Sequence, residues 1–340
     1  MAGSVGILGA TSYTGRELIR LISLHREIDI KFLSSVSHSG KGITEVFPEL
    51  LTICDMELVS PEDALKTRVS AVFSCLPHAV SAGYIKSFAD KGIKVVDLSA
   101  DFRLKDVEVY EKWYNKKHPC PELIKERVYG LPEINRERIA EADIIANPGC
   151  FPTGILLPLI PVLRKKSGSV KNIISDSKTG VSGAGRTLKQ VSHYVEANES
   201  ISGYSIGRKH RHTPEIEQEI SIACGDKREI VFSPHLTPME RGILSTIYLE
   251  TDLSAQECLD ITKERYKQEP FIRVRDLNDL PSTSYVRHTN LCDFSFTESG
   301  RQGMVICVSA IDNLLRGASS QALQNMNIMM QIPEMEGLTL

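Results

Sequence analysis

The sequence predicts an α/β chain: a doubly wound, mostly parallel sheet interrupted by an inserted α+β domain, with the last helix returning to the first. Three observations carry this. The chain opens on a strand, a glycine turn and a helix; short β-prone and helical stretches alternate through the first half; and after Cys150 the β-type segments lengthen and are spaced by glycine-rich or polar stretches.

Residues 4–8 alternate into Gly9, followed by Ala10-Thr11-Ser12-Tyr13-Thr14-Gly15 and a helical pattern over 16–22. In a Rossmann-type βαβ unit, glycines permit the tight turn, the approach of backbone to a pyrophosphate and close helix packing, and the pyrophosphate sits on the helix N-terminus. The spacing here is Gly6-x-x-Gly9-x-x-Ser12-x-x-Gly15, which departs from Gly-x-Gly-x-x-Gly. A glycine turn serves many loops, but a strand before it and a helix after it favour a nucleotide site. Gly6, Gly9, Ser12, Tyr13, Thr14 and Gly15 are the candidate contacts.

Residues 28–33 read as the second strand. Ser34-Ser35-Val36-Ser37-His38-Ser39-Gly40-Lys41 follows, with no carboxylate at the strand's end. An NAD site usually places one about 20 residues beyond the glycines to hold the ribose 2′-hydroxyl. Ser35, Ser37 and Lys41 suit a 2′-phosphate, so NADP is preferred; the alternative is an ordinary polar loop. Further strands are expected at 69–74, 94–98 and 143–146, with a helix over 79–91. Asp97-Leu98-Ser99-Ala100-Asp101-Phe102-Arg103 follows one of these strands, at the edge where such sheets bind ligands. Arg103 is therefore a candidate anion clamp, against surface pairing with Asp101 or Asp106.

Asn147-Pro148-Gly149 forces a turn between the strand ending at Ala146 and an apolar segment, placing Cys150 at a helix start. The positive helix end favours the thiolate and offers N–H groups to an oxyanion. A buried structural cysteine is the alternative. Pro158 and Pro161 predict that the segment is kinked or split.

Beyond it, strands are expected at 173–176, 229–234, 242–251 and 303–311, a helix at 254–266 and a final helix at 313–330, giving a mixed or antiparallel sheet. Ser177-Lys178-Thr179-Gly180-Val181-Ser182-Gly183-Ala184-Gly185-Arg186 is expected to expose main-chain N–H groups, with Ser182 and Gly183 toward a cofactor and Arg186 toward a carboxylate or phosphate; a flexible loop is the alternative. Lys209-His210-Arg211-His212 precedes a helix capped by Thr213 with Pro214 first. One histidine can serve Cys150 as acid/base; a half metal site or a solvated basic loop are the other readings. No second Cys/His pair has zinc spacing, and no metal is assigned.

Net charge is −3, and the eight cysteines show no Cys-x-x-Cys pair. Neither a nucleic acid nor a membrane is the expected partner, and the expected compartment is the reducing cytoplasm, with no signal segment and no apolar run of membrane-spanning length.

Taken in order, these motifs together with Gly130-Leu131-Pro132-Glu133-Ile134-Asn135, Pro238-Met239-x-Arg241-Gly242, Asp312-Asn313-Leu314, Gly317-Ala318 and Gln321 resemble the N-acetyl-γ-glutamyl-phosphate reductases of the aspartate-semialdehyde dehydrogenase-like group. Phe-Pro-Thr after the cysteine fits them better than their lysine-pathway or aspartate-semialdehyde relatives. The resemblance implies an NADPH-dependent acyl-phosphate reductase of arginine biosynthesis, with Cys150 as nucleophile and His212 as acid/base. It places Arg103, Arg186, Tyr204 and Arg241 at the substrate and Asn313 near the nicotinamide. Ser12 stands where many members have another glycine, and Val36 where an arginine often holds the 2′-phosphate. The implied organisation is an NADP-binding domain of residues 1–148 plus 313–340, a catalytic and dimerisation domain of 149–312, and a homodimer or homotetramer. A sister acyl-phosphate reductase, a Cys-His thiol hydrolase and an NADP-sensing protein are the competing readings.

Overall fold

In the computed structural model, which describes residues 3–338, the opening segment forms β1 (Gly3–Leu8). Six strands join it: β2 (Ile28–Ser34), β3 (Leu58–Val59), β4 (Ala71–Ser74), β5 (Lys94–Asp97), β6 (Arg127–Tyr129) and β7 (Ile144–Ala146). All pairings are parallel, in the order β3-β2-β1-β4-β5-β7-β6. Every residue of β4 and β7 is buried, as expected of strands covered on both faces. The order reverses between β1 and β4, so ligands are expected beyond the carboxyl ends of those strands. The two-residue β3 and three-residue β6 are too short to leave a periodic signal.

The chain divides into two compact units, one running to Pro148 and resuming at Ala318, the other spanning Gly149–Gly317. The expected domain ends at 1–2 and 339–340 lie outside the described residues. In the first unit the helix Ser320–Met329 is buried along its whole length, including its amides. Asn325 Nδ2 donates to the Gly130 carbonyl (2.9 Å) and to Asn147 Oδ1 (3.0 Å), and Gln324 Nε2 donates to Glu334 (2.6 Å). Asn327 Oδ1 lies 3.0 Å from His25 Nε2. These pairings hold polar groups that would otherwise be costly to bury. The final helix expected over 313–330 is instead a π-helical turn, Leu315–Ser319, followed by the α-helix from Ser320. Recurrence of apolar residues does not distinguish the two forms.

The second unit carries a mixed sheet of β8 (Val170–Thr179), β9 (Ser202–Gly203), β10 (Val231–Leu236), β11 (Ile243–Thr251), β12 (Ile272–Val274), β13 (Cys292–Glu298) and β14 (Met304–Ile311), in the order β12-β13-β14-β11-β8-β10-β9. β8–β10 and β12–β13 are parallel and the remaining pairs antiparallel. Along β11, buried and half-exposed residues alternate strictly. One face buries small side chains: Ser175, Ser177 and Ser245 form a hydroxyl chain, with Ser177 Oγ 2.7 Å from Ser245 Oγ. The opposite face leaves Ile174 and its register partner Val231 exposed.

The segment expected to be kinked or split at its prolines is one 17-residue helix, Cys150–Lys166, with Pro158 and Pro161 inside it. Pro161 has no N–H for the carbonyl four residues earlier. That carbonyl, on Leu157, accepts the Tyr266 hydroxyl at 2.6 Å, so a tertiary contact supplies the missing donor. Tyr266→Phe is expected to cost about 1–3 kcal/mol by leaving a buried carbonyl without that donor. Chemical denaturation checks this, and a variant as stable as the parent would remove Tyr266 from the explanation. Among the described residues no helix is long and apolar enough to cross a membrane.

Candidate active site

In the first unit, the turn after β1 is tight and leads directly into a helix N-terminus. Gly9 has φ +71°, and a Cβ there would lie 2.8 Å from the Cys75 carbonyl oxygen; a Cβ on Gly15 would lie 2.7 Å from that of Ala10. Ser12 caps the helix Tyr13–Ile22, its Oγ accepting from Gly15 N–H at 3.0 Å and lying 3.1 Å from Thr14 Oγ1. A side chain at either glycine would strike the protein's own main chain, so both are needed for the tight strand-turn-helix packing that leaves a helix N-terminus where a dinucleotide's pyrophosphate would sit. Gly6 has another reason to be glycine: a Cβ there would overlap the Phe32 ring. Ser35 is buried with its Oγ 3.0 Å from Thr11 Oγ1, tying the first loop to the second. Ser37 Oγ lies 2.8 Å from His38 Nδ1, and exposed Lys41 closes the turn by donating its N–H to the His38 carbonyl at 3.1 Å.

Arg103 is buried at the carboxyl edge of this sheet. Its Nε donates to the Asn147 carbonyl (2.9 Å) and its Nη2 to the Leu98 carbonyl (2.8 Å), linking the chain just beyond β7 and β5. Asp101, offered by the sequence as a surface partner, accepts from the main-chain N–H groups of Ala79 and Ala82 and from the Tyr110 hydroxyl, while Asp106 caps the helix Val107–Tyr114. Asp97, held by Ser81 and Ser99, is fully buried, and burial with Asp101 nearby pushes its carboxyl up to about 7. Asn147 is engaged throughout: N–H to Asp97 O, carbonyl from Arg103, Oδ1 from Asn325, Nδ2 to Ala318 O.

In the second unit, Cys150 is the first residue of its helix, partly exposed, with Gly149 as the N-cap. The Gly149 N–H donates to Glu215 Oε1 at 2.8 Å, and the Gly149 carbonyl accepts from both the Thr153 N–H and its hydroxyl at 3.0 Å. Glu215 is buried in the first turn of the helix Thr213–Cys224. The sequence places Thr213 at that helix's cap, but the N-cap is His212, with Thr213 and Pro214 already helical. Glu215 thus joins the starts of two helices, one carrying Cys150 and the other His212.

The next side chain along from Cys150 touches the histidines. The Phe151 ring centre lies 5.4 Å from that of His210, 5.9 Å from His212 and 5.2 Å from Phe232, and the two imidazoles are 4.9 Å apart. Tyr204 meets His210 edge-on at 5.4 Å. Burial pushes the Tyr204 phenol up, with the Cys150 sulfur adding to the effect, so it stays protonated. His210 Nδ1 accepts from the His212 N–H at 3.1 Å, and burial, with Arg211 adding, pushes its imidazole down to about 4. His210 is therefore neutral near pH 7 and anchors the chain at His212.

The stretch around Ser182 does not present donors as expected. The N–H groups of Val181 and Ser182 pair with the carbonyls of Met239 and Glu240, and those of Gly183 and Gly185 close the 3-10 turn Val181–Ala184. Asn313 is likewise engaged, its Oδ1 accepting from Gly242 N–H (2.7 Å) and its Nδ2 donating to Ser182 Oγ (3.0 Å). Arg241 is buried with Nη1 3.4 Å from Asp312, while Arg186 is exposed. Glu215 is legible in the sequence as an acidic residue in a first helical turn, but no local pattern points to its partner.

Known proteins agree with this architecture. Residues 4–142 match the semialdehyde dehydrogenase NAD binding domain, and residues 150–313 the semialdehyde dehydrogenase dimerisation domain. The chain is 47% identical over 337 residues to the N-acetyl-gamma-glutamyl-phosphate reductase of Geotalea daltonii, covering 98% of this chain and 97% of that one. It is 45% identical over 345 residues to the enzyme of that name from Pelotomaculum thermopropionicum, covering 99% and 98%. Among solved structures, aspartate semialdehyde dehydrogenase II of Vibrio cholerae superposes with a TM-score of 0.74 at 17% identity, over 97% of this chain and 98% of that one. The Candida albicans aspartate semialdehyde dehydrogenase solved with NADP gives 0.69 at 17% identity, over 96% and 99%.

Proposed function

The chain belongs to the N-acetyl-γ-glutamyl-phosphate reductase family of the semialdehyde dehydrogenases, and we propose from that premise that it reduces N-acetyl-L-glutamyl 5-phosphate to the 5-semialdehyde and phosphate with NADPH, in arginine biosynthesis. The observation that carries the reading is a thiol on the first residue of a helix, beside a phenylalanine whose ring touches two histidines.

Cys150 attacks the acyl carbon as the thiolate, the C–O bond to phosphate breaks, and a thioester forms with phosphate released. The oxyanion of that attack forms at the positive end of this helix, where Cys150 and Phe151 carry the first N–H groups, Pro152 has none and that of Thr153 is bonded to the Gly149 carbonyl. Arg103 and Arg186 draw the phosphate or carboxylate of the substrate, and Tyr204 and Arg241 border it. NADPH, when bound, supplies the hydride that reduces the acyl carbon. His212 gives the proton that balances it, and the hemithioacetal on Cys150 collapses to aldehyde and free thiol.

Gly9, Ser12, Tyr13, Thr14 and Gly15 would hold the pyrophosphate, with Gly6 behind them, and Ser35, Ser37 and Lys41 the 2′-phosphate. Ser182, Gly183 and Asn313 remain in the proposal as a packed surface rather than as donors. The half-exposed outer face of the second unit's sheet, with Ile174 and Val231 bare, supports assembly into a homodimer or homotetramer. Eight cysteines without a disulfide support a cytoplasmic setting.

The test runs the reaction backwards, because the acyl phosphate is labile. N-acetylglutamate semialdehyde, phosphate and NADP are expected to give phosphate-dependent NADPH absorbance. Activity with aspartate semialdehyde alone would move the protein to the sister reaction, and silence with every aldehyde would sink the reductase reading.

A further inference from the structure

We propose that Gly317 is a positioning residue for the Cys150 thiol; the inference rests on Cys150 being the nucleophile. A Cβ built on Gly317 would lie 2.7 Å from Cys150 Cβ, 3.2 Å from Cys150 Cα and 3.3 Å from Ile311 Cδ1. Real side chains do not approach to 2.7 Å, so something must shift. The backbone does not itself demand glycine here: Gly317 is absent from the positive-φ residues, whereas Gly9 is among them. Space beside the nucleophile is what position 317 provides.

Both backbones at this contact are anchored. Gly317 N–H donates at 2.9 Å to the carbonyl of Asp312, five residues earlier, in the π-helical turn Leu315–Ser319. Asp312 is fully buried; its carboxylate accepts from the N–H groups of Leu314 (2.9 Å), Leu315 (3.2 Å) and His288 (2.8 Å), and Arg241 Nη1 stands 3.4 Å away. Short π turns recur at functional sites, where they re-aim a stretch of chain. On the other side, Glu215 holds the cap residue preceding Cys150. Cys150 Cβ and Cα are fixed to their own main chain, so no rotation of the thiol relieves the contact; a methyl at 317 forces one of the two anchored main chains to shift against its hydrogen bonds, and the sulfur moves relative to the turn. Arg241 gains a role through this arrangement: it stands behind the carboxylate that shapes the turn.

Gly317→Ala tests the idea. With the variant folded and NADP affinity within about twofold of the parent, kcat is expected to fall about 100-fold with KM within about threefold. The second-order rate of iodoacetamide alkylation at Cys150, followed on the Cys150 peptide by mass spectrometry, is expected to fall at least about tenfold and to shift in pH midpoint. Ile311→Val removes one of the atoms the new methyl meets, and Gly317→Ala/Ile311→Val is expected to recover part of both losses. A folded Gly317→Ala protein with parental alkylation and kcat overturns the proposal. So does failure of both variants to fold, which would make the contact a requirement of the fold alone. If the parent itself shows no Cys150 alkylation and no aldehyde-dependent activity, the reading of Cys150 as nucleophile has failed instead.

Discussion

Cys150→Ser is expected to lower reductase turnover by at least ~10⁴-fold while NADP still binds, because a hydroxyl is a far weaker nucleophile than a thiolate at neutral pH. The substitution keeps the shape of the side chain, and the Gly149 cap bonded to Glu215 contains no atom of it. Cofactor affinity should be unmoved, since the glycine turn, Ser12 and the Thr11–Ser35 contact lie in the other unit. Fluorescence titration with NADPH and a single-turnover assay separate the two effects. A thioester trapped by acid quench in the parent and absent from Cys150→Ser would complete the case; an unchanged rate would end the covalent mechanism.

The second large effect separates two histidines that are neighbours in both sequence and space. His212→Asn is expected to reduce kcat by ~10²–10⁴-fold through loss of the proton donor, and His210→Asn by about tenfold or less. The asymmetry follows from burial. His210 is pushed down to about 4, so it carries no proton to give near neutrality, and its Nδ1 holds the His212 N–H. The same depression has a consequence for stability. The folded state resists protonating His210 while the unfolded chain accepts the proton near 6.5, so its contribution is present above about 6.5 and lost as the pH falls toward about 4. Unfolding free energies from denaturation across that window should fall in the parent by at most about 3 kcal/mol from this group, and His210→Asn should lack that share. Equal kinetic losses for the two variants would reverse the assignment of roles.

Much of the fold and of the candidate site is legible in the sequence. The β1 turn carries its strand, cap and helix within residues 3–22, and each signal is local: alternation, a hydroxyl cap, a glycine with positive φ. The turn Asn147-Pro148-Gly149 likewise announces a helix start at Cys150. Other features escape a local reading because their cause lies far along the chain. Pro161 argues for a broken helix, yet Tyr266, 109 residues from Leu157, supplies the missing donor. The glycines around 183 suggest exposed N–H groups, yet the carbonyls of Met239 and Glu240 take two of the donors in that stretch. Gly6 has the look of a phosphate motif, and Phe32 explains it by packing.

The order of strands and turns, the class of the sheet and the candidate nucleophile follow from patterns a few residues long, because periodicity, capping and turn chemistry act over one or two turns of chain. Tertiary structure decided which acceptor each buried donor finds, that His210 is kept neutral, and which glycine stands against Cys150. Those outcomes depend on desolvation and on contacts between residues such as Cys150 and Gly317, and no local pattern encodes either.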